Sequence, residues 1–142
     1  MTAHHSPVSS QHFLGRQERI KSRKLVEELF SGGNSHSVVA YPLRAVWKEG
    51  GLEGTQILVS VSKRHFKRAV KRNRVKRQLR EAYRLNKQIL LDALTPLTTH
   101  HSPLTTHHSL HIAFIWQADE LYPTSVVEDR MKTLLYRIAE KI

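Results

Sequence analysis

Between Lys63 and Arg84 the chain reads KRHFKRAVKRNRVKRQLREAYR, with 11 lysines and arginines against one carboxylate, Glu81. Side chains of this kind bind oxyanions. Seven of the 11 are arginines, whose planar forks pair with phosphate oxygens and stack on bases, where lysine offers only a point charge. Asn73 adds an amide that both donates and accepts, suited to a base edge, a ribose hydroxyl or a hydrated metal. A solvated helix face is the plain alternative, but such faces mix signs so that i,i+4 pairs form. Here Glu81 can serve at most a neighbour or two, such as Arg77 or Arg84. A phosphate-binding surface fits better, because counterion release on binding turns the self-repulsion into affinity.

Groups that could carry bond-breaking chemistry are scattered. Asp119 and Glu120 fall in a turn, and Glu128 and Asp129 begin a helix; neither pair has the spacing of a two-metal phosphoryl-transfer site. Histidines at 100, 101, 107, 108 and 111 invite a metal reading. Adjacent histidines in a proline-containing loop lack the hydrogen-bonded surroundings that orient true ligands, so no metal site and no catalytic residue is assigned. No phosphate loop, serine elbow or glycine fingerprint is found.

The elements that must position the basic segment follow from composition and periodicity. With 142 residues, 39% hydrophobic and 25% charged, the chain predicts one domain with a single core. A formal charge of +11 and a pI near 10.4 point to a polyanionic partner, nucleic acid before an acidic membrane surface. There are no cysteines, which excludes disulfides and thiolate metal sites and agrees with a reducing compartment. The opening MTAHHSPVSSQHFLG has no signal-peptide core, and no apolar run approaches the roughly 18 residues that cross a bilayer. The expected location is cytoplasmic, with no membrane partner and no protein partner evident.

Residues 1–12 read as a flexible tail, and 13–142 as one nucleic-acid-binding domain. Ile20 to Phe30 has helical spacing and SGG at 31–33 ends it. Strands are expected at 42–47 and 55–62, joined by a hairpin turn in KEGGLEG, with a further short strand near 35–39. The basic segment continues as a helix to about Leu91 or Leu94. PLTTHHS at 96–102 is repeated at 103–109, and residues 95–109 read as a low-complexity loop. LHIAFIWQ at 110–117 is a buried strand, and 124–141 a closing helix with Val127, Met131, Leu134, Leu135 and Ile138 on one side. The order makes an α+β sandwich. Its strand–helix–strand passage from 55 to 117 would ordinarily cross over right-handed.

At about 100° per residue, Arg72, Asn73, Lys76, Arg77, Arg80 and Arg84 share an arc of roughly 140° on the basic helix. Val75, Leu79, Ala82 and Tyr83 occupy an adjoining arc of about 100°. One flank should therefore dock on the sheet while the other presents a cationic stripe.

The residues SVSKRHFKRAVKRNRVKRQLRE resemble the signature of bacterial ribonuclease P protein components: a strand ending in V-S-K, then A-V-x-R-N-R-x-K-R-x-x-R-E. ERIKSRKLVEELFSGG at 18–33 is similar, more weakly, to the family's first helix. The resemblance covers about residues 13–94 and 110–141 and is highly specific over the central stretch. It implies an α-β-β-β-α-β-α order with a left-handed β-α-β crossover, opposite in hand to the ordinary expectation. It also implies a binding subunit that assists a catalytic RNA in removing the 5′ leader of precursor tRNA. Mg²⁺ would belong to the RNA active site, and no cofactor to the protein alone. By position, Lys63, Arg72, Asn73, Lys76, Arg77 and Arg80 would face RNA, with Arg74 and Arg84 of the same helix expected to join them, and Phe30 would line a leader cleft between sheet and first helix.

This chain departs from the pattern in three places. RHFKR, one residue longer, stands where relatives commonly have a glycine, and Arg64, Lys67 and Arg68 are expected to add charge there. Val26 and Arg44 hold positions of two further cleft aromatics, so leader contact should lean more on charge. The seven-residue repeat has no family counterpart. Two other readings stay open on charge alone: a structural RNA-binding protein such as a ribosomal component, and a protein-only nuclease using histidine or carboxylates.

Overall fold

The computed structural model describes residues 19–20, 23–31, 35–49, 55–94 and 110–142. The elements in chain order are α1 (Arg23–Ser31), β1 (His36–Ala40), β2 (Leu43–Glu49), β3 (Gln56–Ser60), α2 (Ala69–Asn86), α3 (Gln88–Leu94), β4 (Leu110–Trp116) and α4 (Thr124–Lys141). The expected tail at 1–12, the repeat at 96–109 and most of KEGGLEG lie outside the described residues.

The four strands form one mixed sheet in the order β1-β2-β4-β3. β1 pairs antiparallel with β2, β2 antiparallel with β4, and β3 parallel with β4. The expected hairpin between the second and third strands does not form. β4 lies between them, and the hairpin is instead β1–β2, closed by Tyr41-Pro42 with a cis peptide bond. The reason is hydrophobicity: LHIAFIW is apolar on both faces, as a central strand requires, whereas the glycines of KEGGLEG signalled only a change of direction.

Strand alternation divides the core in two. Leu43, Ala45, Trp47, Ile57, Val59, Leu110, Ile112, Phe114 and Trp116 turn to one face and pack with α2, α3 and α4. Val46 and Ala113 turn to the other face and are covered by Ile20 and Leu29, with Val26, Leu58 and Ile115 partly buried around them. Helix α4 buries the five apolar residues its periodicity predicts. It also covers the outer edge of β1: Arg137 Nη1 donates to Val39 O, and Arg130 Nε to Tyr41 O at 3.1 Å. One carbonyl of the edge strand and one of the turn that follows it are thereby occupied, which blunts an edge that could recruit another chain.

Two expected boundaries move. Ile20 does not belong to the first helix; its N–H donates to Ile57 O at 2.8 Å, and Arg19 bridges Ile57 in parallel, extending the sheet beyond β3. The helix expected to reach Leu91 or Leu94 is broken at Lys87, and α3 restarts with both Leu90 N and Leu91 N donating to Lys87 O at 3.0 Å. Pattern alone misses such a break, because Lys87 keeps helical angles (φ −62°, ψ −20°).

Candidate nucleic-acid interface

Helix α2 is held by the flank the spacing assigned to it. Val75, Leu79, Ala82 and Tyr83 are buried, and Gln78 with them. Gln78 went unnoticed in the sequence because it sits beside the apolar arc. Its Nε2 donates to Tyr122 O at 3.2 Å and Thr124 Oγ1 at 3.1 Å, tying α2 to the start of α4.

The lead-in to α2 is also ordered by specific contacts. His65 N and Phe66 N both donate to Ser62 O (3.1 and 3.3 Å), and Arg64 N donates to Ser62 Oγ at 3.0 Å. Phe66 is buried in the main core, and His65 Nδ1 meets Asp119 Oδ1 at 2.6 Å. RHFKR is therefore a turn pinned by its aromatic residues, with Lys63, Arg64, Lys67 and Arg68 exposed around it. Arg68 is the N-cap of α2 and makes no side-chain cap, and the first turn has no acidic residue. The positive end of the helix dipole thus adds to the cationic field instead of being offset.

The structure separates the residues of α2 expected to face RNA into three groups. Asn73, Lys76, Arg77, Arg80, Glu81 and Arg84 line one open groove of about 560 Å³, joined there by Arg19. Arg72 is turned back on the lead-in: its Nη1 donates to Phe66 O at 2.9 Å and Lys67 O at 2.8 Å. The wheel placed Arg72 at the margin of the stripe, and the open carbonyls of the turn just before the helix supply the nearer partner. Arg74 is exposed but outside the groove lining.

Within the groove the charges are unequal. Arg84 donates to Glu81 Oε1 from Nη2 at 2.5 Å and from Nε at 3.2 Å. That hydrogen bond holds the Glu81 carboxyl below its ordinary range and raises the Arg84 guanidinium. Arg80 is half-buried, and burial first, then the neighbouring Arg19 charge, lower its pKa. Arg77 and Asn73 are exposed. Arg19 was missed because it lies more than 40 residues before the motif in sequence; only the pairing of its backbone with β3 brings it there.

The three cleft residues stand on the thinner side of the sheet. Val26 packs on the cluster under α1. Arg44 lies two residues from Val46 on the same strand face, and its Nε donates to Ser37 Oγ at 2.9 Å. Phe30, in the last turn of α1, keeps 49% of its surface exposed. Ser35 Oγ donates to Leu29 O at 2.7 Å and closes that helix end. Among the described residues no cluster of metal-ligating side chains occurs, and no helix is long and apolar enough to cross a membrane.

A cationic groove on a helix anchored to a small mixed sheet defines an RNA-binding α+β protein. Comparison with known proteins makes this specific. Residues 14–109 match the ribonuclease P family model. The chain is 40% identical over 132 residues to the ribonuclease P protein component of Porphyromonas gingivalis strain W83, covering 91% of this chain and 88% of that one. It is 34% identical over 93 residues to that of Chlorobium phaeobacteroides, covering 61% and 64%. The fold matches the RNase P protein from Thermotoga maritima with a TM-score of 0.63 at 19% identity, over 84% of this chain and 96% of that one. The Staphylococcus aureus RNase P protein matches with a TM-score of 0.63 at 21% identity, over 87% and 95%. The chain belongs to the bacterial ribonuclease P protein family: it is the protein component of an endoribonuclease and assists the catalytic RNA in processing precursor tRNA.

Proposed function

We propose that this protein divides its work between two surfaces. The groove on α2, with Asn73, Lys76, Arg77 and Arg80 at its centre, binds the catalytic RNA near its active site. Lys63, Arg64, Lys67 and Arg68 extend that field along the lead-in, with Arg74 on the flank and Arg72 holding the turn. The seam between α1 and the sheet, at Val26, Phe30 and Arg44, receives the single-stranded 5′ leader. The protein contributes positioning and charge screening, while hydrolysis and its Mg²⁺ ions belong to the RNA. Such a protein works in the cytoplasm as one domain from about residue 13, with a left-handed crossover between β3 and β4.

The observation that carries this reading is the groove. Among the described residues five cations and an asparagine line it, and the one carboxylate with them is already bonded to one of the five. Repulsion of that kind persists in a folded chain where a polyanion relieves it. The test mixes cognate catalytic RNA, precursor tRNA and protein at low Mg²⁺, with RNA-alone and protein-alone controls. The protein should stimulate cleavage by the RNA and cut nothing by itself. Absence of stimulation, or cleavage by RNA-free protein, would defeat the proposal. Precursors with and without a leader separate the surfaces: holoenzyme should hold the leader-bearing form more tightly, and substitutions in the seam should erase that difference.

A further inference from the structure

Arg19 reaches the groove from outside the motif, and its backbone is tied to β3. It bridges Ile57, the next residue's N–H donates to Ile57 O at 2.8 Å, and the Ile20 side chain is buried beneath α1. Arg19 and Arg80 line two adjoining hollows together. One is the groove along α2. The other, about 270 Å³, is walled by Ile20, Ile57, Leu58 and Val59, with no acidic residue among the described residues of its lining. Two guanidinium groups are thus held at one junction against an apolar wall.

We propose that Arg19 and Arg80 form a two-guanidinium clamp for a single RNA phosphodiester, where the backbone passes from the α2 groove to the edge of β3. The proposal rests on the reading that the α2 groove meets RNA. Arginine suits the task, since two forks from different elements can approach one phosphate from two sides. The apolar wall strengthens the attraction by excluding water. Half-burial of Arg80 beside a like charge is relieved when an anion enters. The phosphate can come from the catalytic RNA or from the precursor's leader, and the two arms of the experiment tell them apart.

One arm measures affinity of the full-length protein for catalytic RNA; the other measures affinity of the assembled holoenzyme for leader-bearing and leaderless precursors. Arg19→Ala should weaken binding about tenfold, in the first arm for a catalytic-RNA phosphate and in the second, with leader-bearing precursor only, for a leader phosphate. The Arg19→Ala/Arg80→Ala double variant should lose little more than the weaker-binding single variant, because both side chains serve one phosphate. Arg19→Ala combined with Arg77→Ala should instead multiply the two losses. Arg19→Lys should restore binding only in part. The clamp is overturned if Arg19→Ala stays within twofold in both arms while Arg77→Ala keeps its loss, if the Arg19/Arg80 losses multiply, or if Arg19→Lys binds like wild type. If Arg77→Ala is also without effect, the reading of the groove itself fails. Circular dichroism melts accompany each variant, and Arg19→Gln replaces Arg19→Ala should the latter not fold.

Discussion

The groove on α2 and the seam under α1 are built on opposite faces of one sheet and by opposite means. The α2 side rests on the larger of the two hydrophobic clusters, with five residues of the helix itself buried. That anchorage lets a face dense in like charges persist. Among the described residues the α1 side buries Ile20, Leu29, Val46 and Ala113 and leaves Phe30 half exposed. A surface read by charge gains affinity through counterion release and loses it as salt rises. A surface that adds apolar contact and stacking keeps a share of its affinity that salt changes little, beside the charged share that Arg44 brings to the seam. One small domain can therefore hold two RNA segments with separable energetics.

The comparison breaks most completely at Leu79, fully buried between α2 and the sheet. Leu79→Ala should cost about 2–5 kcal/mol of stability, the range for a truncated core leucine. Both surfaces should weaken together in proportion to the unfolded fraction, as checked by urea unfolding alongside RNA binding. If catalytic-RNA binding fell without a change in stability, the apolar flank would not be the anchor.

Arg77 divides the two surfaces. Arg77→Ala should weaken binding to the catalytic RNA by about 1–3 kcal/mol and leave the melting temperature unchanged. The log–log salt slope should become shallower by about 0.7–0.9, one phosphate's worth. Arg72→Ala makes the contrast: its two bonds to the Phe66 and Lys67 carbonyls predict about 1 kcal/mol of lost stability as well as weaker binding. A melting temperature equal to wild type would show that Arg72 does not hold the turn.

These cases also show what was legible in the sequence. The two flanks of α2 were readable because helical periodicity is local: Val75, Leu79, Ala82 and Tyr83 are buried as their spacing predicts. The same holds for α4 and for β4 as a strand. Strand order was not readable, since a glycine-rich turn indicates reversal and not which strand becomes the neighbour. Arg19 and the Ser37–Arg44 bond were hidden because each depends on pairing across the sheet. The inward turn of Arg72 depends on carbonyls that a wheel does not contain. Family resemblance supplied the function, and periodicity supplied the geometry that makes the function physical.

A smaller effect is expected at Phe30. Phe30→Ala should reduce the affinity of holoenzyme for leader-bearing precursor by about 1 kcal/mol, at the low end for loss of one aromatic stacking contact. Affinity for leaderless precursor and the salt slope should be unchanged. An equal loss with both precursors would remove Phe30 from the leader surface and leave the α2 groove untouched.

The finest probe of the difference is Glu81, the carboxylate that the charge-read surface keeps in its own groove. Its bond to Arg84 is a surface pair, the two side chains 50% and 30% exposed, so screening limits it to about 0.5 kcal/mol. Because the folded carboxyl is held below its ordinary range, this stability is present above the unfolded carboxyl's titration and is lost as pH falls through the lowered folded value. Glu81→Gln should therefore lose that small amount at neutral pH and flatten the acid limb of the stability curve. Catalytic-RNA binding should move the other way. With the carboxylate's repulsion gone and Arg84 released from it, affinity at low salt should rise by about two- to fivefold, and the gain should fade as the Debye length shortens. Leader discrimination at the α1 seam should not change, since Val26, Phe30 and Arg44 are not among the residues that line this groove. Weaker RNA binding by Glu81→Gln would mean that Glu81 orients Arg84 for a phosphate, and the pair would then be a working part of the groove instead of a brake on it.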